Sequence, residues 1–462
     1  MTLDGNPDGS SSAGLRLSLM MFLQFFVWGA WYVSMGTFMG ANKMDPAIAT
    51  AYSVGPIAAI LSPFFLGMIA DRFFASERVM AALHIIGGVL LFAAPVAAQW
   101  KWSGAPADGF FAFMREWPFL LVILLHMLCY MPTLGLTNTI AFNAMTRPEK
   151  QFPLVRVWGT IGWIVANWTI SYFHADTAAT QFTIAGGAAV LLGVYSLSLP
   201  HTPPPARGKP FSARDALGLD ALALLRKPSF VVFMLASFLV CIPLATYYAF
   251  AARYLGAVGP AGDRVTATTA TMSIGQMSEI FFMLVMPLFF VRLGVKWMLA
   301  VGMLAWVARY AFFAWGASTT WNWHELFAIG GTSFFAPGDG LGWMILLGIA
   351  LHGICYDFFF VTGQIYTEQS APARLRASAQ GFLVLVTQGL GMLIGAQIMG
   401  LVFAGKTRTI VDAATDTKVS VTDWVSFWSV PAIMALVILV FFVVAFRERG
   451  DGPAGDLEPA RV

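Results

Sequence analysis

Four ionisable residues, Arg156, Glu279, Arg309 and Asp357, lie deep inside apolar stretches of this chain. A charge in a bilayer costs from about 3 to well above 10 kcal/mol, depending on how it is measured. Such residues persist where they face a polar cavity, pair with one another or carry a function. Their neighbours at helical spacing narrow the chemistry. Arg156, Thr160 and Trp163 recur at i, i+4 and i+7, so a cation, a hydroxyl and an indole share one face. That stripe suits a polar ligand with a flat ring; the alternative is an Arg156 that snorkels to the surface just after Pro153. Gln276 and Glu279 share a face in a strongly apolar run that includes MSEIFFMLVMPLFF. A carboxyl there is protonated or paired, and an ion pair with Arg309 is the structural alternative. His352 and Tyr356 stack at i, i+4, while Asp357 lies about 100° further round, toward a partner helix. His and Asp carry protons near neutral pH where a site tunes them. A histidine in an apolar helix is otherwise a hydrogen-bonded core residue. Gln24, Trp28 and Trp31 in the first apolar run, Thr137, Asn138 and Asn143 after Pro132, and Thr246, Tyr247 and Tyr248 beside Pro243 add polar and aromatic groups. Aromatics so spaced otherwise face lipid or core. Together these residues suit a neutral, multiply hydroxylated ligand with a planar ring. A dianionic phosphate would call for clustered cations.

The elements that must position these residues are membrane helices. The chain is 58% hydrophobic and 11% charged, against about 25% charged in soluble domains, and its mean hydropathy is +0.72. A water-soluble fold could not hide that much apolar surface, so the chain is read as an integral membrane protein in a lipid bilayer. A net charge of +3 is too small to suggest a nucleic-acid partner. Cys129, Cys241 and Cys355 fall in apolar runs and read as buried hydrophobes. There is no metal-ligand cluster, no nucleophile–base arrangement and no P-loop, so no cofactor, enzymatic activity or ATP drive is expected. Energy would come from an ion gradient. Titratable carboxylates without an evident sodium cage point to protons.

A spanning helix needs about 20 apolar residues. Twelve candidates run near 17–39, 47–70, 79–99, 118–145, 153–174, 181–199, 229–255, 266–291, 297–316, 340–368, 376–404 and 424–446. The expected organisation is a disordered tail (1–16), a six-helix bundle (17–199), a basic, Pro-rich linker (200–228) with a short surface helix near 216–225, a second six-helix bundle (229–446) and a tail (447–462). Basic residues favour the loops on the side of the termini by roughly two to one, which places both termini in the cytoplasm. This all-α, six-plus-six layout resembles the major facilitator fold, with a midplane site and alternating access. Gly67, Asp71, Arg72 and Arg78 resemble its cytoplasmic loop motif, and Arg292 to Lys296 repeats the pattern weakly after the eighth span. The glycines of the eleventh span, Gly391 and Gly395 among them, read as a packing face with no substrate role.

Local sequences point further. FLQFFVWGAW, YMPTLGLTNTIAF, RVWGTIGW, SIGQMSE, YDFF and RASAQGF cover both halves and resemble the bacterial nucleoside:proton symporters. The resemblance implies nucleoside import with a proton across the inner membrane. It implies a nucleoside site at Arg156, Thr160, Trp163, Gln276, Glu279, His352 and Tyr356, with Asp357 coupling the proton. Gln24, Trp28 and Tyr248 complete the expected substrate contacts, and Glu279 and His352 are further proton-coupling candidates. The family has amides on the seventh span where this chain has Ala245 and Tyr248, and a tyrosine where it has His352. The rival readings are a sugar or glycoside symporter and a receptor that binds without transport. A monomeric unit is expected.

Overall fold

The computed structural model describes residues 7–65, 73–146, 148–204, 219–258, 268–316, 343–372, 375–411 and 418–447. Helices dominate them, because backbone groups in hydrocarbon must be bonded within their own segment. The first span is Pro7–Tyr32, extended by Met35–Ala41; Ile48–Phe65, Ser76–Gln99, Trp117–Ala144, Pro148–Tyr172 and Thr180–Ser196 complete the first six. The seventh span is Pro228–Ala257. The stretch Thr268–Gly316 holds the eighth and ninth, joined at Gly294, where a φ of 66° calls for glycine. Gly294 lies within the repeated loop pattern between Arg292 and Lys296. The tenth span is assembled from Trp343–Ala350, His352–Cys355, a π-helical turn Tyr356–Val361 and Thr362–Ser370. The eleventh runs Arg376–Val384, a second π-helical turn Leu385–Gly391 and Met392–Lys406, and the twelfth is Trp424–Ala445. Among the described residues, nine helical stretches are long and apolar enough to cross a membrane. The fifth is the polar exception, carrying Arg156, Thr160 and Asn167.

Some expectations are revised. Helix begins at Pro7, so residues 7–16 extend the first span instead of forming a tail. The expected linker helix is a 3-10 segment, Leu219–Arg226, tucked in by Ala221 and Leu224. A hairpin of strands β1 (Thr407–Val411) and β2 (Lys418–Thr422) joins the last two spans. Gly67, Asp71 and Arg72 lie outside the described residues; Arg78 is exposed at the start of the third span.

The two halves are fastened at one end. At the end bearing the termini, each half closes on itself: the Tyr195 hydroxyl donates to the Arg16 carbonyl (3.1 Å), and Tyr366 packs on Phe446. At the opposite end, Asp45 pairs with Arg253, and Gln397 Nε2 donates to Ser53 Oγ (2.7 Å). Trp168 Nε1 donates to Ser273 Oγ (2.8 Å). Asp176, from the fifth-to-sixth connection, receives the first turn of the eighth span. Its Oδ1 accepts from the Thr268 hydroxyl (2.8 Å), the Thr269 hydroxyl (2.8 Å) and the Thr269 amide (3.0 Å). A carboxylate at a helix N-terminus satisfies orphan amides and complements the helix dipole. Here it does so across the boundary between halves.

Candidate functional site

Four helices build the core of the site. The first and fifth spans pack closely, with Gly29 against Trp163. The Arg156 guanidinium lies 4.2 Å over the Phe25 ring. Trp28 meets Trp163, Tyr130 and Tyr32, each at 5.5 Å between ring centroids. Asn167 accepts from Trp163 Nε1 (3.2 Å) and donates to the Gly29 carbonyl (3.1 Å) in the amide orientation that satisfies both, which fixes the indole. Thr160 is partly buried one turn from Arg156.

The eighth and tenth spans supply the other wall. A side-chain carbon at Gly353 would meet Ser278 at 2.6 Å, and one at Gly275 would meet His352 at 2.9 Å, so glycine permits their approach. The Ser278 hydroxyl donates to the Ala350 carbonyl and accepts from the Gly353 amide (3.1 Å), serving backbone groups where the tenth span breaks at Leu351. His352 is thereby set beside Glu279, with Nε2 3.8 Å from Oε2. The following π-helical turn carries Tyr356 and Asp357; such turns concentrate at functional sites. Tyr356 packs on His352 at 5.7 Å.

The two walls meet electrostatically. Arg156 lies within charge–charge reach of Glu279 and Tyr356, and Tyr248 within reach of Glu279 and Tyr356. Tyr248 also packs on Tyr32 across the halves, at 6.1 Å. A cavity of about 390 Å³ adjoins this cluster at Trp28 and Tyr32 and extends toward the terminal end past Gly55, Met131, Asn138 and Gln388. That volume is of ligand-pocket size.

Most of the expected residues therefore converge: Arg156, Trp163, Trp28, Tyr248, Glu279, His352 and Tyr356. Gln276 is partly buried on the Glu279 face, and its Oε1 has no hydrogen-bond partner among the described residues. Asp357 is fully buried, and both carboxylate oxygens lack a partner among the described residues. Gln24 is different. It is fully buried, donates to Thr133 Oγ1 (2.8 Å) and joins His84 Nε2 through Oε1 (2.8 Å). Each end of its amide engages the protein, so in this conformation it braces the first, third and fourth spans. The expected alternative of a Glu279–Arg309 ion pair is replaced by an intervening histidine: Arg309 Nη1 lies 3.2 Å from His352 Nδ1. Ala245 packs against Gly395 of the eleventh span, so the seventh span faces the site through Tyr248. The eleventh span does contribute to the cavity, through Val384, Gln388 and Met392. Sequence reasoning missed that, and it missed Asp176. Gln388 sits one residue before a glycine of the packing face, and nothing in its spacing distinguishes it.

Among the described residues, twelve helical spans, fastened at one end and enclosing a polar and aromatic cluster between two halves, define a membrane carrier of the major facilitator architecture. Residues 12–451 match the family model described as nucleoside H+ symporter, and the chain belongs to that family. It is 37% identical over 444 residues to YegT of Escherichia coli (strain K12), covering 94% of each chain. It is 32% identical to the xanthosine permease of the same organism, covering 95% of this chain and 97% of that one. Among solved structures, the nucleoside transporter NupG superposes with a TM-score of 0.75 at 30% identity, over 95% of this chain and 100% of that one. A peptide transporter POT at 13% identity and a TM-score of 0.61 shares the fold, with 94% of this chain and 97% of that one covered.

Proposed function

We propose that this protein imports nucleosides across the bacterial inner membrane together with protons, by alternating access. The observation that carries the reading is that Arg156 of one half and Glu279 of the other lie within electrostatic reach, among the rings of Trp28, Trp163, Tyr248 and Tyr356. Rings accept a planar base, and a cation–carboxylate pair holds ribose hydroxyls by charge-assisted hydrogen bonds. Asp357 and Glu279 are the groups assigned to proton coupling. Both walls come from one chain, so a monomer suffices. The basic-residue bias puts the terminal end in the cytoplasm, which makes this conformation inward-facing. The test is uptake of radiolabelled uridine and adenosine in a host lacking nucleoside uptake. Accumulation that an uncoupler abolishes is expected. Insensitivity to the uncoupler, or free ribose competing as well as uridine, sinks the reading.

The Asp176 contacts supply a second expectation. They hold the outer end shut, and each hydrogen bond to a charged group contributes about 1.5–3 kcal/mol. Asp176→Ala is expected to raise the outward-open population about 10-fold, the equivalent of about 1.4 kcal/mol. The measurement is labelling of Ser273→Cys, in a background without the native cysteines, by an impermeant maleimide from outside. An unchanged labelling rate would remove Asp176 from the outer closure.

A further inference from the structure

His352 is buried, with groups facing it from four helices. Arg309 of the ninth span approaches Nδ1 at 3.2 Å, and Glu279 of the eighth approaches Nε2 at 3.8 Å. Tyr247 of the seventh stacks on the ring (5.6 Å, 22°), and Tyr356 of the tenth packs at 5.7 Å. Cys355 of the tenth span lies within electrostatic reach of Arg309. Arg309 is itself fully buried and clamped, its guanidinium carbon 3.4 Å over the Tyr247 ring.

A guanidinium has five donors and no acceptor, and it stays protonated. A close contact with Nδ1 is a hydrogen bond only if Nδ1 offers its lone pair. The single imidazole proton then sits on Nε2, pointing toward Glu279. A second proton would set N–H against N–H, and cation against cation. The 3.8 Å gap to Glu279 is too long for a hydrogen bond. A ligand hydroxyl closes it, accepting from Nε2–H and donating to the carboxylate.

We propose that Arg309 is a positioning residue that holds His352 as the neutral Nε2–H tautomer, so that His352 binds a ribose hydroxyl together with Glu279 and carries no proton. This rests on the nucleoside reading above. It takes His352 out of the proton path and gives Arg309 a role beyond packing.

Three measurements test it. In protein labelled with ¹⁵N-histidine, the His352 signals, assigned by their loss in His352→Tyr, are expected to show one neutral tautomer from pH 5 to 8; in Arg309→Gln they are expected to titrate. In proteoliposomes, His352→Tyr is expected to change the affinity for uridine while keeping the wild-type ratio of protons to uridine taken up. In binding, the wild type is expected to prefer uridine over its 2′,3′-dideoxy analogue about 10-fold, and His352→Phe to reduce that preference. A wild-type His352 that titrates in this range overturns the proposal. So does a His352→Tyr protein that exchanges uridine but cannot accumulate it, or a His352→Phe protein whose preference is undiminished. The wild-type part of the first readout needs no variant to fold except the assignment control. Wild-type protein that binds no nucleoside would instead sink the functional reading beneath it.

Discussion

Asp357→Asn protein is expected to bind and exchange nucleoside yet fail to concentrate it. Asp357 occupies the π-helical turn of the tenth span, fully buried, with neither carboxylate oxygen hydrogen-bonded among the described residues. Ionising a carboxyl that is buried without a hydrogen-bond partner costs several kcal/mol. Release of its proton therefore requires a change in surroundings, such as hydration or the approach of a cation as the halves move. That requirement ties proton release to conformation, which is what coupling demands. The amide of Asn keeps the shape and removes the exchangeable proton. Reconstituted protein under an imposed proton gradient should lose accumulation and fall to simple equilibration. Counterflow with uridine on both sides should survive. A variant that still accumulates uridine against a gradient would remove Asp357 from coupling. One that loses counterflow as well would make the residue structural.

The second large effect is expected at the Arg156–Glu279 pair. Arg156 is held over Phe25 and lies within electrostatic reach of Glu279 across the boundary between halves. Removing a charged group that hydrogen-bonds a bound ligand costs about 1.5–3 kcal/mol. Arg156→Ala should therefore weaken uridine binding by about 30-fold or more, the equivalent of about 2 kcal/mol. Arg156→Lys keeps the charge but loses the planar fork, and an intermediate loss is expected. A binding cycle with Glu279→Gln tests whether the two act together, since residues sharing a ligand couple by about 0.5–3 kcal/mol. Strictly additive losses would mean that they do not hold the same ligand.

Parts of the site were legible because helical period alone sets them. The i, i+4, i+7 stripe of Arg156, Thr160 and Trp163 needed no partner to be read. Trp163 does face Trp28, as two aromatics on polar stripes would suggest. Gln24 shares a stripe with Trp28, yet its amide engages Thr133 and His84. Spacing reports the face a residue occupies; it is silent on whether that face meets a cavity or a neighbour with matching donors and acceptors.

The sequence by itself determined the class of this protein. Hydrocarbon imposes runs of apolar residues long enough to cross it, and the expense of charge within them leaves few places for polar chemistry. Local motifs in both halves carried the family. The tertiary structure decided which polar groups meet. Arg309 could have reached Glu279 but reaches His352, 43 residues away, because glycines at 275 and 353 bring the eighth and tenth spans together and set the imidazole between. Asp176 came to fasten one half to the other only when the halves came together over the first turn of the eighth span. Each outcome depends on the rotation and depth of one helix against another. Those are set by packing at contacts far apart in the chain, which no single helix encodes.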